Sequence, residues 1–424
     1  MAATSPGLLE FVAAAIFAIA VIHTFSTRKF EHLAHNQPRH AGLWHLLGEV
    51  EVVFGFWAMV LLVFMASHLG TKDALQYLEG RNFTEPAFVL VIMVIAASKP
   101  VIDFAAAFLQ YVSRIFPIKE PIAYYATVLS VGPLLGSFIT EPAAMTLSAL
   151  LLRDKFLSRN TPKPFMYATI GVLFVNISIG GTLTPFAAPP VLMVADRWGW
   201  DIGFMFGTFG WKAATAVAIN ALGAAYIFRS YLGEQLEGPG GLARLDVPIW
   251  VIAIHLAFLT GVVVFSHHPL VFGALLLFFL GFCEAYKRYQ TRLMLREALM
   301  VAFFLAGLVV LGGQQKWWLQ QLLADMSTNT LFVGATLLTA IVDNAALTYL
   351  GSLVDGVTDE FKYSLVAGAV TGGGLTVIAN APNPAGFAIL KGNFEDGAIS
   401  AVGLAAAATV PTLVAAVAFR FLPG

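Results

Sequence analysis

The sequence predicts an all-α polytopic membrane protein: an inverted-topology repeat with two re-entrant hairpins and two broken transmembrane helices. Three observations predict it. The 424 residues are 58% hydrophobic and 12% charged, with a mean hydropathy of +0.79, whereas a soluble domain carries about 25% charge. Apolar runs recur along the chain at or near the roughly 20 residues that span a bilayer. An acid-bearing motif and a glycine/proline block each occur once in each half.

In order, the candidate spans are 8–26, 48–69, 86–113, 165–197, 204–228, 247–266, 269–284, 297–322, 363–390 and 397–419. No basic stretch precedes 8–26, so it reads as a first span and not as a cleaved leader. Two further apolar segments, 121–156 and 329–355, are too long for one straight helix and have small or helix-breaking residues at their centres. Both are expected to be hairpins that turn at an acid and return to the side they entered. A bilayer tolerates such backbone only where protein or a water cavity covers it.

The acid motif can be aligned by eye. Residues 136–148 read Gly-Ser-Phe-Ile-Thr-Glu-Pro-Ala-Ala-Met-Thr-Leu-Ser, and 338–350 read Leu-Thr-Ala-Ile-Val-Asp-Asn-Ala-Ala-Leu-Thr-Tyr-Leu. With Ile139 on Ile341, Glu141 falls on Asp343 and Thr146 on Thr348. The second repeated block reads Gly-Gly-Thr-Leu-Thr-Pro-Phe-Ala-Ala-Pro-Pro at 180–190 and Gly-Gly-Gly-Leu-Thr-Val-Ile-Ala-Asn-Ala-Pro at 372–382. Glycine permits unusual dihedrals and proline removes a donor, so 165–197 and 363–390 should each break at mid-membrane. Paired breaks of this kind mark transporter binding sites.

Charge bias supports the hairpins. With them in place, one side of the bilayer collects most Lys and Arg residues, among them Arg114, Arg153, Lys155, Lys163, Arg229 and Lys287. The other keeps few, such as Lys72, Arg81, Lys362 and Arg420. The basic side is expected to be cytoplasmic, with both termini outside. The resulting division is 1–85, N-terminal scaffold helices; 86–229, first repeat; 230–296, linking scaffold helices; and 297–424, second repeat.

Other features narrow the function. A net charge of −1 leaves no nucleic-acid footprint. The single cysteine, Cys283, lies in an apolar run, so disulfides and thiolate metal sites are not expected. No nucleotide-binding loop suggests ATP coupling, no catalytic set suggests an enzyme, and neither a cofactor nor a resident metal is implied. The expected partner is the lipid bilayer.

A carboxylate at the bilayer centre costs at least ~2.5–3.5 kcal/mol and offsets that cost by binding a cation or a proton. Hard cations take oxygen ligands. Around Glu141 and Asp343, the candidate cation/proton ligands are Thr140, Thr146, Thr184, Asn344, Thr348, Thr376, Asn380 and Asn383, with carbonyls of the broken helices. The structural alternative is that each acid or hydroxyl only caps a helix end. Lys99 and Asp103 share a helix face, as an internal ion pair beside Pro100 or as a coupling pair. Lys316, beside Trp317 and Trp318, reads as an interfacial anchor. His32, His35, His40 and His45 cluster in the first loop, as solvated residues or as a pH sensor.

At the repeated acid and glycine blocks the chain resembles the ion transporter superfamily, which includes NhaD-type sodium/proton antiporters, arsenite permeases, citrate–metal symporters and dicarboxylate/sodium symporters. It is most similar to a bacterial sodium/proton antiporter family. Ile341-Val342-Asp343-Asn344-Ala345-Ala346-Leu347-Thr348 looks like the Asp-Asn motif of the NhaD type. The resemblance implies two hairpins, two unwound helices, a homodimer in a bacterial inner membrane and an elevator-like motion. Thr140-Glu141-Pro142 and Val342-Asp343-Asn344 stand where the dicarboxylate branch has Ser-Asn-Thr tips, which weighs against carboxylate substrates. The expectation is therefore exchange of sodium, or lithium, for protons. The alternatives are a sodium- or proton-coupled carrier of a small anion (a dicarboxylate or oxyanion), seated on the positive ends of the broken helices, and a channel or a non-transporting subunit.

Overall fold

Lipid offers no hydrogen bonds, so a chain this apolar must satisfy its backbone internally. The computed structural model describes residues 7–157, 161–234, 246–323, 326–394 and 399–423, and every regular element among them is helical. In order these are α1 (Leu8–Asn36), α2 (Ala41–Gly48), α3 (Val50–His68), α4 (Thr71–Glu79), α5 (Thr84–Ala96), α6 (Lys99–Ser113), α7 (Glu120–Ile139) and α8 (Glu141–Phe156). Next come α9 (Lys163–Gly180), α10 (Pro189–Trp198), α11 (Ile202–Met205), α12 (Trp211–Ile227), α13 (Arg229–Gly233), α14 (Ile249–Val264), α15 (Pro269–Ala285) and α16 (Leu295–Gly312). The last are α17 (Lys316–Leu323), α18 (Thr328–Thr339), α19 (Asn344–Ser352), α20 (Asp359–Gly372), α21 (Asn383–Leu390) and α22 (Ala401–Phe421). Among the described residues, seven helices are long and apolar enough to cross a membrane, and α5 with α6 makes an eighth candidate as a bent pair.

Several expectations need correction. The segment 86–113 is not one continuous helix but a pair of helices bent by 67°. Pro100 cannot donate to Ala96, and Ser98 is extended, so α6 starts afresh at Lys99. The first helix runs on to Asn36, which places His32 on a helix and not in a loop; the side chain of His35 lies outside the described residues. Helices α2 and α4 fill stretches expected to be loops. Lys316 is ion-paired to Asp355, so it is more than a free interfacial anchor.

The chain forms two compact units. One comprises Met1–Leu90, Leu295–Ser327 and Tyr349–Lys362; the other comprises Val91–Met294, Thr328–Thr348 and Tyr363–Gly424. In the first, α3 and α16 touch backbone to backbone, because a Cβ at Gly307 would collide with Gly55 N. Small residues permit such crossings in membranes. The last carbonyls of α16 have no intrahelical donors. Tyr349 Oη donates to Val309 O at 3.2 Å, Tyr77 Oη to Val310 O at 2.6 Å and Gln315 Nε2 to Leu311 O at 2.9 Å. The buried His23 joins α1 to its neighbours: Trp57 Nε1 donates to its Nδ1 and its Nε2 donates to Leu47 O, each at 3.0 Å. Indole only donates and carbonyl only accepts, so His23 is neutral with its proton on Nε2.

In the second unit, α7 and α8 form a hairpin. Glu120, at the start of α7, accepts from Lys155, near the end of α8, at 2.5 and 2.6 Å. Their far ends meet at Thr140. Pro133 inside α7 leaves Leu129 O without its helical donor. Asn176 of α9 supplies one, through Nδ2 at 2.8 Å, and also donates to Val217 O of α12 at 3.2 Å. Asn220 of α12 donates to Asn176 Oδ1 at 2.9 Å and to Pro411 O of α22 at 3.3 Å. Two buried amides thus join four helices. Asn176→Ala is expected to lower stability by about 1–3 kcal/mol, the cost of stranding a buried acceptor. Thermal unfolding in detergent checks this, and Pro133→Ala in the same chain should recover part of the loss by restoring the N–H.

Candidate functional site

The site is built where the tips of two hairpin segments meet two unwound helices, all within the second unit. After Gly180, α9 gives way to a short 3-10 turn and then extended backbone at Thr184. Ser137, three residues before Thr140, holds this turn together. Its Oγ donates to Gly180 O at 2.8 Å and accepts from Leu183 N at 3.0 Å. Thr184 Oγ1 donates to Ser137 O at 2.6 Å.

The other break is held in a related way. Thr376 Oγ1 donates to Ala340 O at 2.9 Å, and Asn383 Nδ2 donates to Gly373 O at 2.7 Å and Thr376 O at 2.8 Å. Asn344 N donates to Ala379 O at 3.1 Å. The glycines let the tips lie flat on the breaks. A Cβ at Gly181 would strike Glu141 Oε1, and one at Gly373 would come within 2.9 Å of Asn344 Nδ2 as well as striking Ser178 Oγ of α9.

Glu141 is fully buried at the first tip. Its Oε2 accepts from Asn380 Nδ2 at 2.9 Å, while Oε1 has no hydrogen-bond partner among the described residues. Asp343 is half-buried, and its Oδ1 accepts from Ala345 N at 2.8 Å and Ala346 N at 3.2 Å. Asn344 N, next to Asp343, is bonded to Ala379 O, and the following Asn380 is bonded to Glu141, so the break at 379–380 touches both tips. Buried side-chain oxygens without partners gather on the same elements: Thr140 Oγ1, Thr146 Oγ1, Asn344 Oδ1, Asn380 Oδ1 and Asn383 Oδ1. Such atoms are rare in folded proteins, and each calls for an explanation. Oxygens of this kind are what a hard cation takes as ligands.

Thr348 differs from this group. Its hydroxyl donates back to Asn344 O and Ala345 O, each at 3.2 Å. Lys99 and Asp103 form the expected ion pair, half-buried on α6. His32 makes a long contact to Asn36 at 3.5 Å, and His40 and His45 lie on the 3-10 turn and α2 that follow α1. These histidines belong to the first unit. Among the described residues, no group of three or more His, Cys, Asp or Glu side chains could hold a metal ion.

Thr140 is the one non-glycine residue with positive φ among the described residues, at φ 72° and ψ 149°. That conformation costs on the order of 1–3 kcal/mol and points to a function for the residue that bears it. Thr140→Gly is expected to stabilise the fold, since the relieved strain exceeds the roughly 0.5–1 kcal/mol of added chain entropy. A raised unfolding midpoint would show it.

Ser137 escaped the sequence reading, although a signal was there: in the aligned tips it faces Thr339, also a buried hydroxyl. The amides of Asn176 and Asn220 gave no comparable sign, because their roles depend on which helices pack together.

Among curated proteins, none matches the chain. A family model described as "Putative Na+/H+ antiporter" does match, over residues 8–422. It covers nearly the whole sequence of this multi-pass membrane protein, and the chain therefore belongs to that Na+/H+ antiporter family.

Proposed function

We propose that the protein exchanges sodium or lithium for protons, with Glu141 and Asp343 at one shared site. The observation that carries this reading is the carboxylate of Glu141, fully buried with one oxygen lacking a donor. In an apolar setting such an oxygen requires a proton or a metal ion. Cation and proton compete for it, so binding one expels the other, which is the basis of antiport. Asn380, Thr140, Asn344 and Asn383 supply further oxygens.

The matching roles of Thr184 and Thr376 support an internal repeat, in which hydroxyls of the breaks donate to tip backbones. The charge bias supports termini on the outer side. The small-anion alternative lacks support, since the four motif blocks contain neither Arg nor Lys.

The test uses the purified protein in liposomes with a trapped pH dye. Sodium or lithium added outside is expected to enter in exchange for protons of the lumen, raising the internal pH that the dye reads. A response to dicarboxylates alone would favour the anion carrier instead.

A further inference from the structure

The two acids are held differently. Asp343 precedes α19 and takes two of its first backbone N–H groups on Oδ1, so it is the cap of that helix. A carboxylate there meets the positive end of the helix dipole. Glu141 occupies the first position of α8, beyond the cap residue Thr140, and is followed by Pro142, which has no N–H. Among the described residues, the one hydrogen bond to its carboxylate comes from the side chain of Asn380, and Oε1 has none. The repeat conserves the acid, while the neighbouring residue, proline or asparagine, changes what the acid is bonded to.

We infer that, within the antiport reading above, the two carboxylates divide the work. Glu141 alone trades a proton for a monovalent cation, and Asp343 stays an anion that caps α19 and helps to seat the cation. One proton then moves against one cation and the cycle carries no net charge. In the proton-loaded state Glu141 Oε1 carries hydrogen. That O–H bond breaks, the proton leaves to water, and one cation settles on the freed oxygen. One positive charge replaces another. If both acids traded protons, two would leave for each monovalent cation and every cycle would move a charge.

The experiment uses the full chain in liposomes with the trapped dye and sodium as probe. The sodium ratio across the membrane is set equal to the proton ratio, and a diffusion potential of either sign is imposed with potassium and valinomycin. A thiocyanate gradient replaces potassium if potassium alone moves the dye. The expected result is no net proton flux at matched ratios, whatever the potential. A balance point that shifts with potential would overturn the inference while leaving antiport intact. No sodium-driven response under any gradient would overturn the antiport reading and this inference with it.

Asp343→Asn provides a second readout, since asparagine also caps helices. Its sodium KM should rise at least about tenfold through the lost ligand charge, with the balance point still at matched ratios. Sodium uptake that persists without proton movement in this variant would assign the exchanging proton to Asp343 and refute the division.

Discussion

Replacing Glu141 with glutamine is expected to bring sodium-driven proton movement down to the background of protein-free liposomes. Glutamine has nearly the same shape, and its carbonyl can still accept from Asn380 Nδ2, now 2.9 Å from Glu141 Oε2. It cannot carry an exchangeable proton, and it offers a cation no charge. The fold should survive. A neutral amide costs less to bury than a carboxylate, so the unfolding midpoint should stay level or rise. A purely structural Glu141 predicts the opposite pair of results: a lowered midpoint with transport retained in whatever protein remains folded. Measuring both quantities on one preparation separates the two cases.

Gly307→Ala should have the largest effect on stability. A Cβ there would overlap Gly55 N, Phe54 C and Gly55 Cα, all of them backbone atoms. No rotamer change can make room, so α3 and α16 must move apart along their crossing. The cost should lie at or above the roughly 3 kcal/mol that marks the upper end of ordinary overpacking. Gly55→Ala is a useful control. Its nearest obstacles are atoms of the Phe303 ring, a side chain that can turn aside, so the loss should be smaller. If the two variants unfold at the same temperature, the backbone contact is not what limits this pair.

The tips and breaks were legible in the sequence because they contrast with their surroundings. Glu141, Asp343, Asn380 and the paired glycines stand out in runs of Ala, Leu and Val, and lipid makes each polar exception costly. The same contrast located most helices. The angle between α5 and α6 was less legible: Pro100 marks a break, but the direction of the next helix is set by tertiary packing. Asn176 looked like an ordinary polar residue inside a span, and its role emerges only once α9 lies against Pro133. The unequal bonding of the two acids was half visible. Pro142 and Asn344 are plain in the alignment, yet which acid caps its helix depends on whether the helix starts at the acid or after it.

Ser137 has a mechanical consequence. Because it both donates to Gly180 O and accepts from Leu183 N, it rivets the first tip to the unwound turn of α9. The Glu120–Lys155 brace closes the other end of the same hairpin. With its two arms pinned to each other and its tip bonded to the α9 turn, the hairpin cannot swing open as a flap without breaking the Ser137 bonds. The tip cannot part from the α9 turn without losing both Ser137 bonds, which fastens α7, α8 and that turn into one unit.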